Sequence, residues 1–333
     1  MSIQVDVFDD FHLHGASAPE WNQRYAQLSP GAMHSTLTEA TSGRVHVFRK
    51  WMSERVVQQG CLPGGQICFA LLNGCADGLP RMQGQELREN HLVVLRGGEE
   101  FAIQRPRGME LLAITFPNED FLQLLDERPR PQQARKLLSR HELQAPADAL
   151  RRLRGQLMAT LRLPLSGHAD SQALGDESGA SAGLFESLRA LFEDACDAQP
   201  TVASASAAYI VAQCHRIVVD SGDAPPDVET LCRRLRVSRR SVQYSFRQMA
   251  NSTTVHYLRS LRLNLVRQRL LATSPAQLSV SQAAGDQGFE QLSHFTERYK
   301  ALFGELPSET NRAQVARPPR QTWVSASCSR LRT

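Results

Sequence analysis

Residues 237–247 read VSRRSVQYSFR, and the spacing of their apolar side chains determines how we interpret the C-terminal third of the chain. Ser238 is a typical helix N-cap, because its hydroxyl can accept a hydrogen bond from a backbone N–H of the first turn. Val242, Phe246 and Met249 recur at the intervals of one helix face. The segment therefore predicts a helix with a buried apolar stripe and a polar outer face.

The predicted outer face carries side chains suited to reading DNA, namely Arg239, Arg240, Gln243, Tyr244 and Arg247. Arg can pair with O6 and N7 of guanine, and Gln with N6 and N7 of adenine. Upstream, Asp227 can cap a short helix whose apolar residues are Val228, Leu231, Cys232 and Leu235. Two short helices joined by a tight turn, the second exposing Arg and Gln near its start, suit a major groove.

A long amphipathic helix is predicted next, from residue 254 to residue 272, after Asn251 ends the preceding helix in a left-handed conformation. Its apolar residues form two adjacent stripes, Leu258, Leu261 and Leu265 on one and Leu263, Val266 and Leu270 on the other. Such a helix spans roughly 28 Å, somewhat less than one turn of DNA. It can therefore serve as a rigid spacer between two groove readers.

A second unit follows the same plan. Ser279 and Gln282 have the spacing of a capping box, and Gly288 ends the helix that they open. After Phe289 at the turn, the inward stripe of the next helix is Phe295, Tyr299, Leu302 and Phe303. The outer or flanking faces are left to Ser293, His294, Thr296, Glu297 and Arg298.

Together, the two units and their spacer resemble the AraC/XylS family of bacterial regulators over about residues 227–312. The matching stretches are residues 237–247, 257–264 (YLRSLRLN) and 288–295 (GFEQLSHF), continued by Tyr299-Lys300, Phe303-Gly304 and Pro307-Ser308-Glu309. The resemblance implies DNA contacts from Arg240, Gln243, Tyr244, Leu292, Ser293, Thr296 and Glu297. Gln291 lies within the last matching stretch and completes the predicted DNA-binding set.

Five residues bear on the rigidity or strength of the predicted units, two in the turn after the first unit and three in the second unit. Asn251 and Thr254 stand where the family usually has Gly and Pro, and Ala283 replaces a larger aliphatic residue. Gly285 weakens its helix by about 1 kcal/mol relative to Ala. Glu297 can accept a hydrogen bond from cytosine N4 but repels phosphate. We therefore expect the second unit to bind less tightly than the first.

The N-terminal half predicts a β-rich domain. Strand patterns occur at residues 45–48, 67–72, 91–95, 101–103 and 111–116, separated by turns such as Gly97-Gly98. They suit a cupin-like barrel, the sensor or dimerisation domain that the family resemblance implies. Residues 64–65, 95–99 and 105–108 also resemble the subgroup of ethanolamine-utilisation regulators.

The expected fold class is α+β, a β-rich cupin-like sensor domain with flanking helices followed by an all-α double helix-turn-helix domain. The predicted divisions are a sensor domain with trailing helices (1–163), a flexible linker (164–183), connecting helices (184–222), the DNA-binding domain (223–312) and a disordered tail (313–333). Residues 1–200 hold 20 Lys and Arg against 25 Asp and Glu, a net charge of −5, whereas residues 201–333 hold 18 against 9, a net charge of +9. The basic charge is thus concentrated where phosphates would be met.

The sequence thus predicts an effector-responsive, sequence-specific transcriptional regulator, not an enzyme, with no cofactor, catalytic residue or metal ligand. It lacks a secretory signal or membrane span, so we expect a cytoplasmic protein. Expected partners are double-stranded DNA, RNA polymerase, a small-molecule effector and a second copy of the chain. Seven cysteines without a Cys-x-x-Cys pair indicate neither a disulfide framework nor a zinc site.

Two alternatives stay open at this point. His12-Leu13-His14, with Glu20, resembles a fragment of a cupin metal motif, which would suit a metal-dependent cupin enzyme fused to a DNA-binding tail. A second matching motif with a distal histidine is not evident, and we interpret these histidines as terminal surface residues. In the other alternative, the β domain only dimerises or binds another protein.

Overall fold

A computed structural model describes residues 2–82, 84–126, 131–161, 177–194, 196–197 and 202–312. Its strands are β1 (Ser2–Phe8), β2 (Arg24–Gln27), β3 (Ser35–Ser42), β4 (Val45–Met52), β5 (Val56–Cys61), β6 (Gln66–Gly74), β7 (Arg81–Met82), β8 (Gln85–Glu86), β9 (His91–Arg96), β10 (Glu100–Arg105), β11 (Met109–Pro117), β12 (Glu142–Gln144) and β13 (Cys196–Asp197). Its helices are α1 (Phe11–Ala16), α2 (Asn118–Asp126), α3 (Pro131–Leu138), α4 (Ala147–Thr160), α5 (Glu177–Asp194), α6 (Val202–Asp220), α7 (Val228–Leu235), α8 (Arg239–Ala250), α9 (Thr254–Leu271), α10 (Val280–Asp286) and α11 (Leu292–Phe303).

Two antiparallel sheets form the N-terminal domain, which confirms the predicted β-rich fold. One sheet has the order β1-β3-β4-β11-β6-β9-β12-β13 and the other β2-β5-β10-β7-β8. The five strands predicted from sequence are β4, β6, β9, β10 and β11. Alternating residues of β4, β6, β9 and β11 enter a core on each face of the larger sheet, whereas β10 contributes apolar residues to the core between the sheets. The sequence patterns do not predict the remaining strands, β1, β2, β3, β5, β7, β8, β12 and β13. Two of these, β3 (STLTEATS) and β5 (VVQQGC), have few large apolar residues.

The sheets and helices stack in layers that share apolar cores. The core between the two sheets contains Phe48 and Leu111 from the larger sheet and Phe101 and Ile103 from the smaller one. The other face of the larger sheet packs against α2, α3, α4 and α5. The outer face of the smaller sheet packs against the C-terminal helices, where Ala26 and Val57 join a core with α6, α8 and α9. The smaller sheet is therefore the surface on which the C-terminal helices rest.

The predicted division into domains stays a prediction, although α5 begins at Glu177, within the predicted linker 164–183. The expected connecting region 184–222 also divides in two. Leu188 of α5 packs on the β domain, whereas Val211 and Val218 of α6 pack with the C-terminal helices. The remainder of the predicted linker and the predicted tail 313–333 lie outside the described residues.

Two further findings concern features anticipated from sequence. In the described part of the chain, no helix is both long and apolar enough to cross a membrane. The interpretation of His14 as a terminal surface residue was wrong, because its side chain is buried and its Nδ1 lies 2.8 Å from the Ser35 hydroxyl. Phe8 of β1, Tyr25 of β2 and Ser35 of β3, three strands that the sequence does not predict, contact this ring.

Candidate nucleic-acid interface

The first helical pair of the C-terminal domain is built by local caps. Asp227 accepts a hydrogen bond from the Thr230 backbone N–H at 2.8 Å and starts α7. Arg236 ends that helix with a left-handed backbone at φ 54°. The Ser238 hydroxyl accepts from the Ser241 N–H at 3.0 Å and starts α8. These caps fix a tight turn between the two helices, as the sequence predicts.

The outer face of α8 is open to solvent. Val242 and Phe246 are fully buried, and the Phe246 ring meets the Tyr257 ring of α9 edge-on at 5.0 Å between centroids. The predicted DNA-binding residues of this helix are all exposed, namely Arg239, Arg240, Gln243, Tyr244 and Arg247. Tyr244 is 61% exposed, unusually much for a large aromatic side chain. An aromatic ring left in water on a basic face suits contact with bases or sugar.

The second helical pair repeats the arrangement. Ser279 caps α10 by accepting from the Gln282 N–H at 3.1 Å, and Gly288 makes the turn at φ 75°. Phe295 and Tyr299 of α11 are fully buried. The predicted DNA-binding residues on its other face are exposed, namely Gln291, Leu292, Ser293, His294, Glu297 and Arg298, whereas Thr296 is half-buried. Both helical pairs thus present their predicted reading side chains to solvent.

The connecting helix α9 is unbroken over its 18 residues, which confirms the predicted spacer. Its two stripes contact different cores. Leu258 and Leu261 pack with the first helical pair, whereas Leu263, Val266 and Leu270 pack with the second. Asn251, at φ 42°, makes the left-handed turn before it. A straight helix of this length spans roughly 27 Å.

Polar contacts tie both helical pairs to α9. Arg262 donates to the Pro226 carbonyl at 2.9 Å, next to the start of α7. Arg269 donates to Asp286 at 2.6 Å, at the end of α10. Because each bond joins the central helix to one pair, the relative positions of the two pairs are set by α9.

Comparison with known proteins agrees with this geometry. A family model described as a helix-turn-helix domain matches residues 231–313. XylDLEGF operon transcriptional activator 1 of Pseudomonas putida is 36% identical over 85 residues, which are 26% of this chain and 26% of that protein. The probable thc operon regulatory protein of Rhodococcus erythropolis is 34% identical over 98 residues, 28% of this chain and 30% of that protein. The chain's C-terminal part is an AraC/XylS-type helix-turn-helix domain.

The similarity to the operon regulators named above covers only part of each protein. The match spans about a quarter of the length of the Pseudomonas putida activator. A solved structure, that of the AraC-like transcriptional activator CuxR, is 15% identical, covers 79% of this chain and 94% of that chain, and has a TM-score of 0.41. The closer resemblance of the β domain to ethanolamine-utilisation regulators stays a prediction.

The structure adds Arg259 to the basic surface of the AraC/XylS-type domain. Arg259 is a half-buried residue of α9, and burial lowers the pKa of its guanidinium, which the neighbouring charge of Arg298 lowers further. α9 and α11 therefore both contribute positive charge to this surface. Sequence spacing alone did not reveal this pair, because it depends on how α9 approaches α11.

The cupin-enzyme alternative gains no support from the β domain. Within the described ranges, no three His, Cys, Asp or Glu side chains are placed to hold a metal ion together. His14 instead bonds Ser35, and burial lowers the pKa of its imidazole to about 2.

Replacement of Gly285 by alanine will raise the free energy of unfolding by about 0.5–1 kcal/mol. Gly285 lies inside α10, a new Cβ there meets no atom within 4 Å, and alanine is the better helix former. Gly97→Ala provides the contrast, because its Cβ would lie 2.3 Å from the Pro63 carbonyl oxygen. Urea unfolding should show the first variant stabilised and the second destabilised. Equal destabilisation of both would mean that α10 is packed differently.

Proposed function

We propose that the chain is a sequence-specific DNA-binding transcriptional regulator that reads two adjacent major grooves through α8 and α11. The observation that carries this proposal is the pair of exposed, polar reading faces joined by one unbroken helix, α9. The relatives named above as operon regulators support it. In this proposal the chain acts by binding and not by catalysis, in the cytoplasm, with RNA polymerase as a further partner.

Binding should be specific and sensitive to salt. Contacts from Arg side chains to phosphates release counterions, so affinity falls as salt rises, while base contacts discriminate between sequences. Gel-shift titrations of the full-length chain on promoter fragments of the source genome, with scrambled fragments as competitors, test the proposal. Retention that is weak and indifferent to sequence would overturn it.

Response to an effector rests on how the β domain docks against α9. The Asn264 side chain accepts from the Gln27 backbone N–H at 2.8 Å and donates to the Gln27 carbonyl at 2.9 Å. The Arg267 guanidinium, almost fully buried, bonds the Asp10 carboxylate at 2.6 Å. A small molecule that shifts the segment around Asp10 or strand β2 would therefore act directly on the helix that spaces the two readers.

A thermal-shift screen tests the effector part of the proposal separately. A metabolite that binds the folded chain raises its melting temperature by mass action. We expect such a metabolite also to change the affinity for the target promoter fragment, because linkage makes the coupling reciprocal. A ligand that stabilises the chain without any change in promoter affinity would contradict an effector role.

Arg240→Ala should weaken binding to the target fragment by about 1–3 kcal/mol and relax the preference at one base pair. The reason is that Arg240 is exposed near the start of α8, where a recognition helix meets base edges. Arg152→Ala, on the exposed side of α4, is a charge-matched control that should leave binding unchanged. Equal losses on all DNA sequences would show that Arg240 touches only phosphate.

A further inference from the structure

Strand β1 is an unprotected sheet edge. It pairs with β3 on one side, from Ser2 opposite Thr41 to Phe8 opposite Ser35, and within the described ranges no strand pairs with its other side. The edge is seven residues long and contains no Lys, Pro or Gly, and its one charged residue is Asp6. Natural proteins usually shorten such edges, or interrupt them with Lys, Pro or bulges, because free backbone groups attract another strand.

The other edge strands in the described structure are either short or covered. β13 and β8 are two residues long. β2 is four residues long, and Asn264 of α9 bonds both backbone groups of its residue Gln27. β1 is therefore the one long edge among these strands that lacks such a cover.

The exposed side chains of β1 point to the same conclusion. Val5 is 44% exposed and Val7 is 68% exposed, although both are strongly apolar. They lie on one face of the strand with Ile3, which packs against the core under the larger sheet. Gln4 and Asp6 lie on the opposite face, where the Gln4 amide donates to the Asp6 carboxylate at 2.7 Å.

We propose that β1 pairs with β1 of a second copy of this chain, antiparallel and with Val5 opposite Val5, so that the two eight-stranded sheets join edge to edge. In this register Ile3 faces the partner's Val7, which buries apolar residues on one side. Gln4 faces the partner's Asp6 on the other side, an amide donor opposite a carboxylate acceptor. Centring the pair on Asp6 instead would place two carboxylates opposite each other.

The five central residues of β1 are therefore self-complementary in polarity and charge, whereas Ser2 and Phe8 face each other at the two ends. The central match argues for a second copy over an unrelated strand. An isologous contact of this kind closes as a dimer with twofold symmetry. One strand edge is smaller than the about 1,600 Å² of a standard interface, so we expect a dimer that dissociates on dilution.

Dimerisation at β1 would also affect how the β domain contacts the DNA-binding domain. Asp10, two residues beyond the end of β1, forms the buried ion pair with Arg267 of α9. Pairing of β1 therefore holds in place the segment that docks on the spacer helix. This inference does not depend on DNA recognition, and it can fail while the proposed function stands.

Sedimentation velocity of the full-length, tag-free chain across a concentration series tests the dimer. We expect a monomer–dimer equilibrium, whose midpoint is the protein concentration at which half of the chains are dimeric. In the double variant Val5→Lys/Val7→Lys this midpoint should rise at least about tenfold, because the lysines at position 5 of the two copies then face each other across the edge. Both residues are exposed, so the monomer keeps its fold, as its melting temperature will verify. Leu79→Lys, at a residue 44% exposed elsewhere on the β domain, should leave the midpoint unchanged.

Substitutions at Gln4 and a cysteine variant test the register itself. Gln4→Lys should lower the midpoint and Gln4→Asp should raise it, since each faces the partner's Asp6. Val5→Cys should form an intermolecular disulfide on mild oxidation, because directly opposed strand residues lie within disulfide reach. Val7→Cys should not, since it faces Ile3. A chain that is monomeric at all concentrations, or dimers that crosslink through Val7→Cys and not Val5→Cys, would overturn the proposal.

Discussion

Truncation of Phe246 to alanine will lower the free energy of unfolding by about 3–5 kcal/mol, because it leaves a cavity in a core that cannot close around it. The Phe246 side chain is fully buried between α8 and α9 and packs edge-on against Tyr257. Phe295→Ala should cost a similar amount in the second unit, where the ring is fully buried beside Phe289 and Tyr299. Urea unfolding monitored by circular dichroism measures both losses.

Tyr244→Ala is the matched control for the first of these variants. Tyr244 lies on the same helix as Phe246 but is 61% exposed, so its removal should change stability by less than about 0.5 kcal/mol. It should nevertheless weaken DNA binding. If Phe246→Ala proved as harmless to stability as Tyr244→Ala, α8 would be turned differently, and its assigned reading face would be wrong.

Acidification from pH 7 to pH 5 will destabilise the chain by about 6 kcal/mol, through three buried histidines. Burial lowers the pKa of His12 to about 4, that of His215 to about 4 with a further contribution from Arg24, and that of His14 to about 2 with contributions from Lys50 and Arg105. The unfolded chain takes up a proton at each ring near pH 6.5, whereas the folded chain keeps all three rings neutral. Stability is therefore full above pH 6.5 and falls by about 2 kcal/mol per histidine at pH 5.

Two variants isolate the contribution of one ring. His215→Gln removes a buried imidazole whose Nδ1 lies 2.8 Å from the Tyr257 hydroxyl, and should reduce the loss between pH 7 and pH 5 by about 2 kcal/mol. Gln243→Ala, at an exposed residue that carries no titratable group, should leave the loss unchanged. The comparison uses the difference between two pH values, so any effect of the substitution at pH 7 cancels. An identical pH dependence in all three proteins would contradict the burial of His215.

The helix-turn-helix units could be predicted from sequence because their determinants are local. Ser238 and Ser279 cap helices three residues from their hydrogen-bond partners, and Phe246 and Phe295 recur at helical intervals. Within such a segment, the buried stripe also fixes which side chains remain outside. Prediction of the exposed reading faces therefore required no long-range information.

Contacts between residues far apart in the sequence could not be predicted from local patterns. Asp10 and Arg267 are 257 residues apart, and only the docking of the β domain on α9 brings them together. Asn264 lies in the matching stretch 257–264, but its bonds to Gln27 depend on the same docking. His14 is polar and near the N-terminus in the sequence, although side chains of β1, β2 and β3 surround it in the structure. Contacts of this kind depend on the order of strands in the sheets, which periodicity does not specify.

Hydroxyl-radical footprinting on the preferred promoter fragment tests the central claim most directly. If α9 holds α8 and α11 as two readers of one duplex, protection will fall in two segments on the same face of the DNA, centred about one helical turn apart. Ser293→Arg should then alter only the segment read by α11, and Arg240→Ala only the other. A single protected segment that responds to both substitutions would contradict the account.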